Sequence, residues 1–185
     1  MRLYSVFDVE SHSSTKNTIL KEIESASGYQ CTTRSFRGDY SSIISKTNWD
    51  KDPLVRMSWP YFLTKDDSYS FVNYLEEIYG GMGTEWKVRK QWFNQYDPHS
   101  GSDHPWHNHS HPNGDLMNGV ASVYYVELGD ESLVTVLKDP ETGEEVFPKV
   151  KEGQILTFDA NILHKSPRNF SDTRKTVIAF NIEFL

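Results

Sequence analysis

Apolar residues recur every three or four positions over Ser13–Ser27 and again over Asp66–Tyr79. This spacing predicts two amphipathic helices, because it places the apolar side chains on one helical face. The first segment begins among hydroxyl residues and the second begins at Asp66 or Asp67, all of which are side chains that cap helices. A short alternating stretch over residues 3–8 predicts one strand ahead of the first helix.

From Glu85 onward the apolar positions alternate with polar ones, which is the spacing of strands. Turn-forming segments such as Asp139–Gly143 separate these runs, and no helical pattern lies between them. Several short strands in succession predict an antiparallel sandwich or barrel. We therefore expect a mainly β fold with flanking helices (α+β), a jelly roll whose helices pack outside one sheet. The predicted strands cover residues 85–96, 120–128, 132–138, 154–158 and 173–184.

A chain of 185 residues is long enough for one well-filled core, so we predict a single domain over residues 1–185. Residues 1–84 form its mixed front half, and residues 85–185 form the β core. Residues 31–62, rich in Ser, Gly, Asp and aromatic residues, follow neither period. This segment is interpreted either as a long loop over a functional site or as a surface connection.

The charge of the chain narrows the classes of function. A formal net charge of −7 makes a nucleic-acid partner unlikely, since proteins that bind nucleic acids usually present a basic face. No apolar run is long enough to span a membrane, and the first residues lack the apolar stretch of a signal peptide. Cys31 is the only cysteine, which excludes an internal disulfide and fits a reducing compartment. We expect a cytoplasmic protein; the pattern leaves its oligomeric state open.

Histidines supply the candidate chemistry. Of the seven in the chain, five lie within residues 99–111, and His164 stands apart after a predicted strand. Two histidines at positions i and i+2 of an extended segment point the same way, about 7 Å apart at their Cα atoms, and can share one metal ion. Both His107–His109 and His109–His111 have this spacing. We favour His107 and His109 with His164, and keep His111 as the alternative register.

The order of these motifs resembles the 2-oxoglutarate/Fe(II)-dependent oxygenase superfamily, in particular its short prolyl-hydroxylase-like members. The similarity rests on a His-x-His segment, a strand, a distant His164 and Arg174 ten residues later, and it covers residues 91–185. The resemblance implies a double-stranded β-helix (a jelly-roll, cupin-like barrel), iron(II) on the histidines and 2-oxoglutarate as co-substrate. The segments that carry it are Gly101–His109, Ser122–Glu127, Gly153–Phe158 and Arg174–Ile182.

The resemblance also implies a cation for the far carboxylate of 2-oxoglutarate. Arg174 and Thr176 are two residues apart on a strand and share one face, so we expect them to bind that carboxylate. Most of the superfamily has a carboxylate in the second ligand position, where this chain has a histidine. Asp115 is a more remote candidate for a carboxylate ligand.

Two other functions fit part of the pattern. A cupin-like metal-binding protein, such as an isomerase or a small-molecule binding module, shares the barrel and the clustered histidines but has no need of Arg174 and Thr176. A scaffold that has lost its metal is the third possibility. For the oxygenase, the expected partner is a small-molecule or peptide substrate, and the sequence does not identify it.

Overall fold

The computed structural model of the chain describes residues 2–26, 31–34, 40–44, 63–79, 86–101, 103–109 and 118–184. Strands predominate in these residues, together with two long helices and one short 3-10 helix. The helices are α1 (His12–Ala26) and α2 (Lys65–Tyr79). The strands are β1 (Tyr4–Asp8), β2 (Cys31–Arg34), β3 (Tyr40–Ile44), β4 (Trp86–Tyr96), β5 (His104–His107), β6 (Gly119–Leu128), β7 (Val136–Lys138), β8 (Glu145–Val146), β9 (Gln154–Asp159), β10 (His164–Ser166) and β11 (Lys175–Phe184).

The strands form two antiparallel sheets. The large sheet has the order β1-β9-β6-β11-β4-β3-β2, and the small sheet has the order β5-β10-β7-β8. Non-consecutive neighbours such as β6 and β11 show that the chain crosses between the sheets and does not form a simple meander. The predicted mainly β fold with helices outside one sheet is confirmed.

Two hydrophobic cores lie on the two faces of the large sheet. The first core joins Ile23 of α1 and Phe71 of α2 to sheet residues such as Phe180. The second core lies between the sheets and joins Tyr125 of β6 to Leu137 of β7. Strands that are apolar on both faces therefore occupy the centre of the fold, whereas the small sheet covers only one side.

β11 shows how the two faces are separated. Ile178, Phe180 and Ile182 belong to the core beneath the helices. Lys175, Val177, Ala179 and Asn181 instead line a cavity between the two sheets. Side chains alternate along a strand, so each residue of β11 is assigned to one face by whether its number is even or odd.

The helix bounds match the predicted ones to within one residue, but the cap of α2 differs from the expectation. Thr64 is the cap: its Oγ1 accepts from the backbone N–H of Asp67 at 3.2 Å. The Asp67 carboxylate accepts from Thr64 Oγ1–H at 2.9 Å, so the side chain of Asp67 holds the capping hydroxyl in place. The Asp67 carboxylate also accepts from the backbone N–H of Glu10 at 3.0 Å and from the Ser11 hydroxyl at the start of α1. One buried carboxylate thus joins the starts of both helices.

Several strands were not predicted. β5 and β10 are three or four residues long, and the stretch predicted as a strand over 132–138 begins with the 3-10 helix Glu131–Leu133 before β7. Within the 31–62 segment, β2 and β3 extend the edge of the large sheet, and the rest lies outside the described residues. No helix in the described part of the chain is long and apolar enough to cross a membrane.

Replacing Asp67 with Ala should lower the free energy of unfolding by about 2–4 kcal/mol, because several partly buried donors lose their acceptor together. Urea denaturation measures the change. Asp66→Ala is the matched control, since Asp66 is an exposed neighbour in the same helical turn. An equal loss in the two variants would mean that the carboxylate of Asp67 does not link the helices.

Candidate metal centre

A cavity lies between the two sheets, and its lining combines apolar, imidazole and amide side chains with one ammonium group. Ala121, Val123 and Val177 give it apolar walls. The polar residues that line it include His104, His107, His109, His164, Asn94, Asn181 and Lys175.

The structure brings three histidines together in this cavity. Ligand nitrogens of His107, His109 and His164 all lie within 4.8 Å of one another. β5 and β10 pair with His107 directly opposite His164, which places these two rings 4.1 Å apart at their centroids. The backbone N–H of His109 donates to the carbonyl of Ala160 at 2.8 Å, so the segment after β5 is held against the loop that precedes His164.

Backbone carbonyls fix the orientation of two of these rings. Nδ1–H of His107 donates to the carbonyl of Pro105 at 2.7 Å, and Nδ1–H of His164 donates to the carbonyl of Ile162 at 2.9 Å. A carbonyl only accepts, so each Nδ1 carries the proton and each Nε2 keeps a lone pair. Metal-binding histidines are held by their other ring nitrogen in this way.

Burial keeps two of these rings uncharged. It lowers the pKa of His107. Burial also lowers the pKa of His164 well below its ordinary value, and the neighbouring His107 adds to that shift. Neutral imidazoles are the form that binds a metal ion, so these two side chains are ready to act as ligands at neutral pH. His104 stacks on His107 with 4.0 Å between ring centroids, and burial lowers its pKa to about 4.

Both histidines of the favoured register, His107 and His109, lie beside His164. His111 and Asp115 lie outside the described residues, so the structure makes no statement about them. The third ring of the cluster, His109, also packs against Trp92, with 5.6 Å between the ring centroids.

The cavity contains a buried cation that the sequence analysis missed. Lys175 is 1% exposed, and its Nζ donates to the carbonyl of Leu133 at 2.5 Å and to the hydroxyl of Ser166 at 2.8 Å. The rings of Tyr96 and Tyr125 lie 4.9 and 5.8 Å from Nζ. Among the described residues no carboxylate pairs with it, and burial lowers its pKa to about 7. An ammonium buried without a counter-charge favours an anionic ligand.

Arg174 and Thr176 are not in this cavity, which corrects the expectation for them. The guanidinium of Arg174 donates to the carboxylate of Glu127 at 2.9 and 3.3 Å, and Thr176 donates to the same carboxylate at 2.6 Å. Glu24 of α1 also approaches Arg174, at 4.0 Å. Both residues therefore lie on the helix side of the sheet, because side chains alternate along β11 and Lys175 occupies the cavity side.

No protein-family model matches the sequence, and no curated protein matches it. Solved structures do match the fold. The 2-oxoglutarate complex of the viral collagen prolyl hydroxylase of Paramecium bursaria Chlorella virus-1 covers 100% of this chain and 97% of its own, with 11% identity and a TM-score of 0.60. The alignment with a Pseudomonas putida prolyl-4-hydroxylase covers 100% of this chain and 94% of that protein, with 12% identity and a TM-score of 0.63.

A third match is SnoK, a non-heme α-ketoglutarate-dependent carbocyclase from nogalamycin biosynthesis. It aligns with 98% of this chain and 79% of its own, at 11% identity and a TM-score of 0.73. The chain thus has the double-stranded β-helix fold of 2-oxoglutarate-dependent oxygenases, and the predicted resemblance is confirmed at the level of the fold.

Stability without metal should fall as the pH drops from about 6.5 towards 4. His104, His107 and His164 have lower pKa values in the folded protein than the 6.5 of an unfolded chain, so the unfolded state binds protons first. The stability that depends on these histidines being neutral is fully present above pH 6.5. It is lost as the pH falls to the pKa of each histidine in the folded protein, which is about 4 for His104.

Chemical denaturation at several pH values, with chelator present, measures this dependence. His164→Leu should flatten it, because one of the buried groups no longer titrates. His99→Leu is the surface control, since the His99 side chain is 64% exposed and lies outside the cavity, and His164→Leu should flatten the dependence more than this control does. Equal slopes for His164→Leu and the wild type would show that His164 takes no part.

Proposed function

We propose that this protein is an Fe(II)- and 2-oxoglutarate-dependent oxygenase. It couples the oxidative decarboxylation of 2-oxoglutarate to the oxidation, expected to be a hydroxylation, of a small-molecule or peptide substrate. The observation that carries this proposal is the combination, in one cavity of this fold, of three converging imidazoles and a buried ammonium without a counter-charge.

The donor set fits iron(II). Imidazole nitrogens suit iron as well as zinc, copper and nickel, and three ligands on one side of an ion leave its other positions for exchangeable ligands. His107, His109 and His164 would hold the metal, with Pro105 and Ile162 fixing two of the rings through their carbonyls. A site without a carboxylate leaves the full double charge of iron(II) uncompensated, which favours an anionic partner.

The ammonium group of Lys175 is placed to bind the far carboxylate of 2-oxoglutarate. Ser166, which accepts from Lys175, lies two residues after His164 on β10, so the Cα atoms of His164 and Ser166 are about 7 Å apart and both side chains line the same cavity. A five-carbon dicarboxylate has about 5 Å between its carboxyl carbons, given bonds of about 1.5 Å. One end can therefore reach the histidines while the other pairs with Lys175.

When bound, iron and 2-oxoglutarate supply the oxidising chemistry: dioxygen gives one atom to succinate, formed with carbon dioxide, and one to the substrate. The chain itself binds and orients. Lys175 neutralises and positions the carboxylate in a site where charge interactions are strong because water is excluded. Val123 and Val177 help to exclude that water. We further propose a reducing cytoplasm as its location, since Cys31 is the only cysteine.

The test of this function is the release of succinate from 2-oxoglutarate by the purified protein with iron(II), ascorbate and oxygen. The wild type should form succinate slowly without substrate, and His164→Ala should form none, because the metal loses a ligand. Iron binding without any succinate, in the presence of a broad set of candidate substrates, would favour the cupin-like metal-binding alternative.

Lys175 and Arg174 provide a matched pair for the co-substrate site. Lys175→Met should weaken 2-oxoglutarate binding by about 2–5 kcal/mol, roughly 30-fold or more, because a buried charge partner is removed. Arg174→Met should leave this affinity unchanged, because its guanidinium pairs with Glu127 on the other face of β11. Calorimetric titration of 2-oxoglutarate into the metal-loaded protein measures both affinities. The opposite ranking of the two variants would reinstate Arg174 as the clamp.

Lys175→Met should also raise the melting temperature of the ligand-free protein. The folded pKa of about 7 lies below the 10.5 of an exposed lysine, so burial penalises the charged form. That penalty is absent above pH 10.5, grows as the pH falls to 7 and is constant below it. The gain in melting temperature of Lys175→Met should therefore be largest at or below pH 7. A lower melting temperature for the variant at that pH would mean that the folded protein compensates the charge of the ammonium.

A further inference from the structure

Two amide groups in the cavity have buried oxygens that accept no hydrogen bond from any described residue. Asn94 is 4% exposed and Asn181 is 6% exposed, and the Oδ1 atom of each lacks a partner within the described part of the chain. Both residues line the same cavity as the histidines and Lys175. A buried carbonyl oxygen without a partner costs about 1–3 kcal/mol, so both atoms are positions where a bound ligand would restore a lost interaction.

The two amides lie at different depths along the cavity. Asn94 pairs with Val177, close to Lys175 at the start of β11. Asn181 lies six residues after Lys175 on the same face, which corresponds to about 20 Å along the strand. The ammonium of Lys175 crosses to Ser166 in the opposite sheet, so its side chain extends across the barrel rather than towards Asn181.

The histidine cluster is linked to both parts of this face: His164 is two residues from Ser166, the hydrogen-bond partner of Lys175, and His109 lies further along β11. His109 packs against Trp92, and Trp92 pairs with Ala179, two residues before Asn181. A 2-oxoglutarate molecule that spans about 5 Å between its carboxyl carbons and reaches from Lys175 to the histidines ends before Asn181. Asn181 is therefore on the side of the metal centre that the co-substrate leaves free.

We propose that the side-chain oxygen of Asn181 accepts a hydrogen bond from the substrate that is oxidised. The substrate then carries an N–H or O–H donor close to the carbon that reacts. Trp92, Ala121 and Ala179 form the apolar wall of the cavity beside Asn181. The small side chains of the two alanines leave space there for a substrate group. The matching substrate group is compact and mostly apolar with one donor, as in a secondary amide, a cyclic amine or an alcohol.

This inference rests on the proposed function, and it is tested by binding rather than by turnover. The probes are two matched pairs: 2-pyrrolidinone with N-methyl-2-pyrrolidinone, and cyclopentanol with methoxycyclopentane. Each pair differs in one donor. The protein is loaded with Mn(II) and 2-oxoglutarate, and the paramagnetic relaxation of the probe protons reports binding next to the metal.

The donor member of each pair should bind about tenfold more tightly, since one hydrogen bond to a buried acceptor is gained. Asn181→Leu should reduce this ratio to about one and raise the melting temperature of the ligand-free protein, because an unpartnered oxygen is removed. Asn181→Ala provides the same binding test if the leucine variant does not fold. Asn94→Leu is the control, and it should keep the tenfold preference.

The outcomes separate the two proposals. If Mn(II) or 2-oxoglutarate does not bind, the proposed function fails, and the role of Asn181 fails with it. If both bind while no donor probe is preferred, or if the preference survives in Asn181→Leu, the oxygenase proposal stands and the role of Asn181 is overturned.

Discussion

Side-chain alternation along β11 is the constraint on which the architecture and the candidate site both depend. The strand lies in the middle of the large sheet, between β6 and β4, so both of its faces are covered. Its even-numbered residues contribute Ile178 and Phe180 to the core beneath the helices. Its odd-numbered residues face the small sheet and include the ammonium and the amide that give the cavity its polarity. Folding cannot bury the apolar face without also placing Lys175 inside.

The cavity is built from groups that weaken the folded protein when nothing is bound. Among the residues that the structure describes, Lys175 has no carboxylate partner and two amide oxygens have no donor. Burial also holds His104, His107 and His164 in the neutral form. Each of these features opposes folding, and such departures cluster where a protein binds or reacts. A metal ion and an anion would offset them together, because ligands that bind only the folded state stabilise it.

The sequence predicted the fold better than it predicted which residues line the cavity. Long amphipathic and alternating segments gave the two helices and most long strands, since their periods follow directly from local geometry. β5 and β10 are too short to show a period, so the pairing of His107 with His164 was visible only in the structure. Spacing from His164 predicts Arg174 as the cation, but spacing alone does not tell which face of a strand a residue occupies, and Lys175 is the residue that lines the cavity. The cap of α2 at Thr64 instead of Asp66 or Asp67 is a shift of two or three residues of the kind that local signals seldom resolve.

The central claim is that the histidines and Lys175 hold a metal ion and an anionic chelate in contact. Its most direct test is an anaerobic calorimetric measurement of iron(II) affinity with and without 2-oxoglutarate, and of 2-oxoglutarate affinity with and without iron(II). The account predicts that each ligand raises the affinity of the other, and by the same factor, because coupling between two sites is reciprocal. An iron affinity that does not respond to 2-oxoglutarate would contradict it, because the histidines and the ammonium would then serve separate ligands or none.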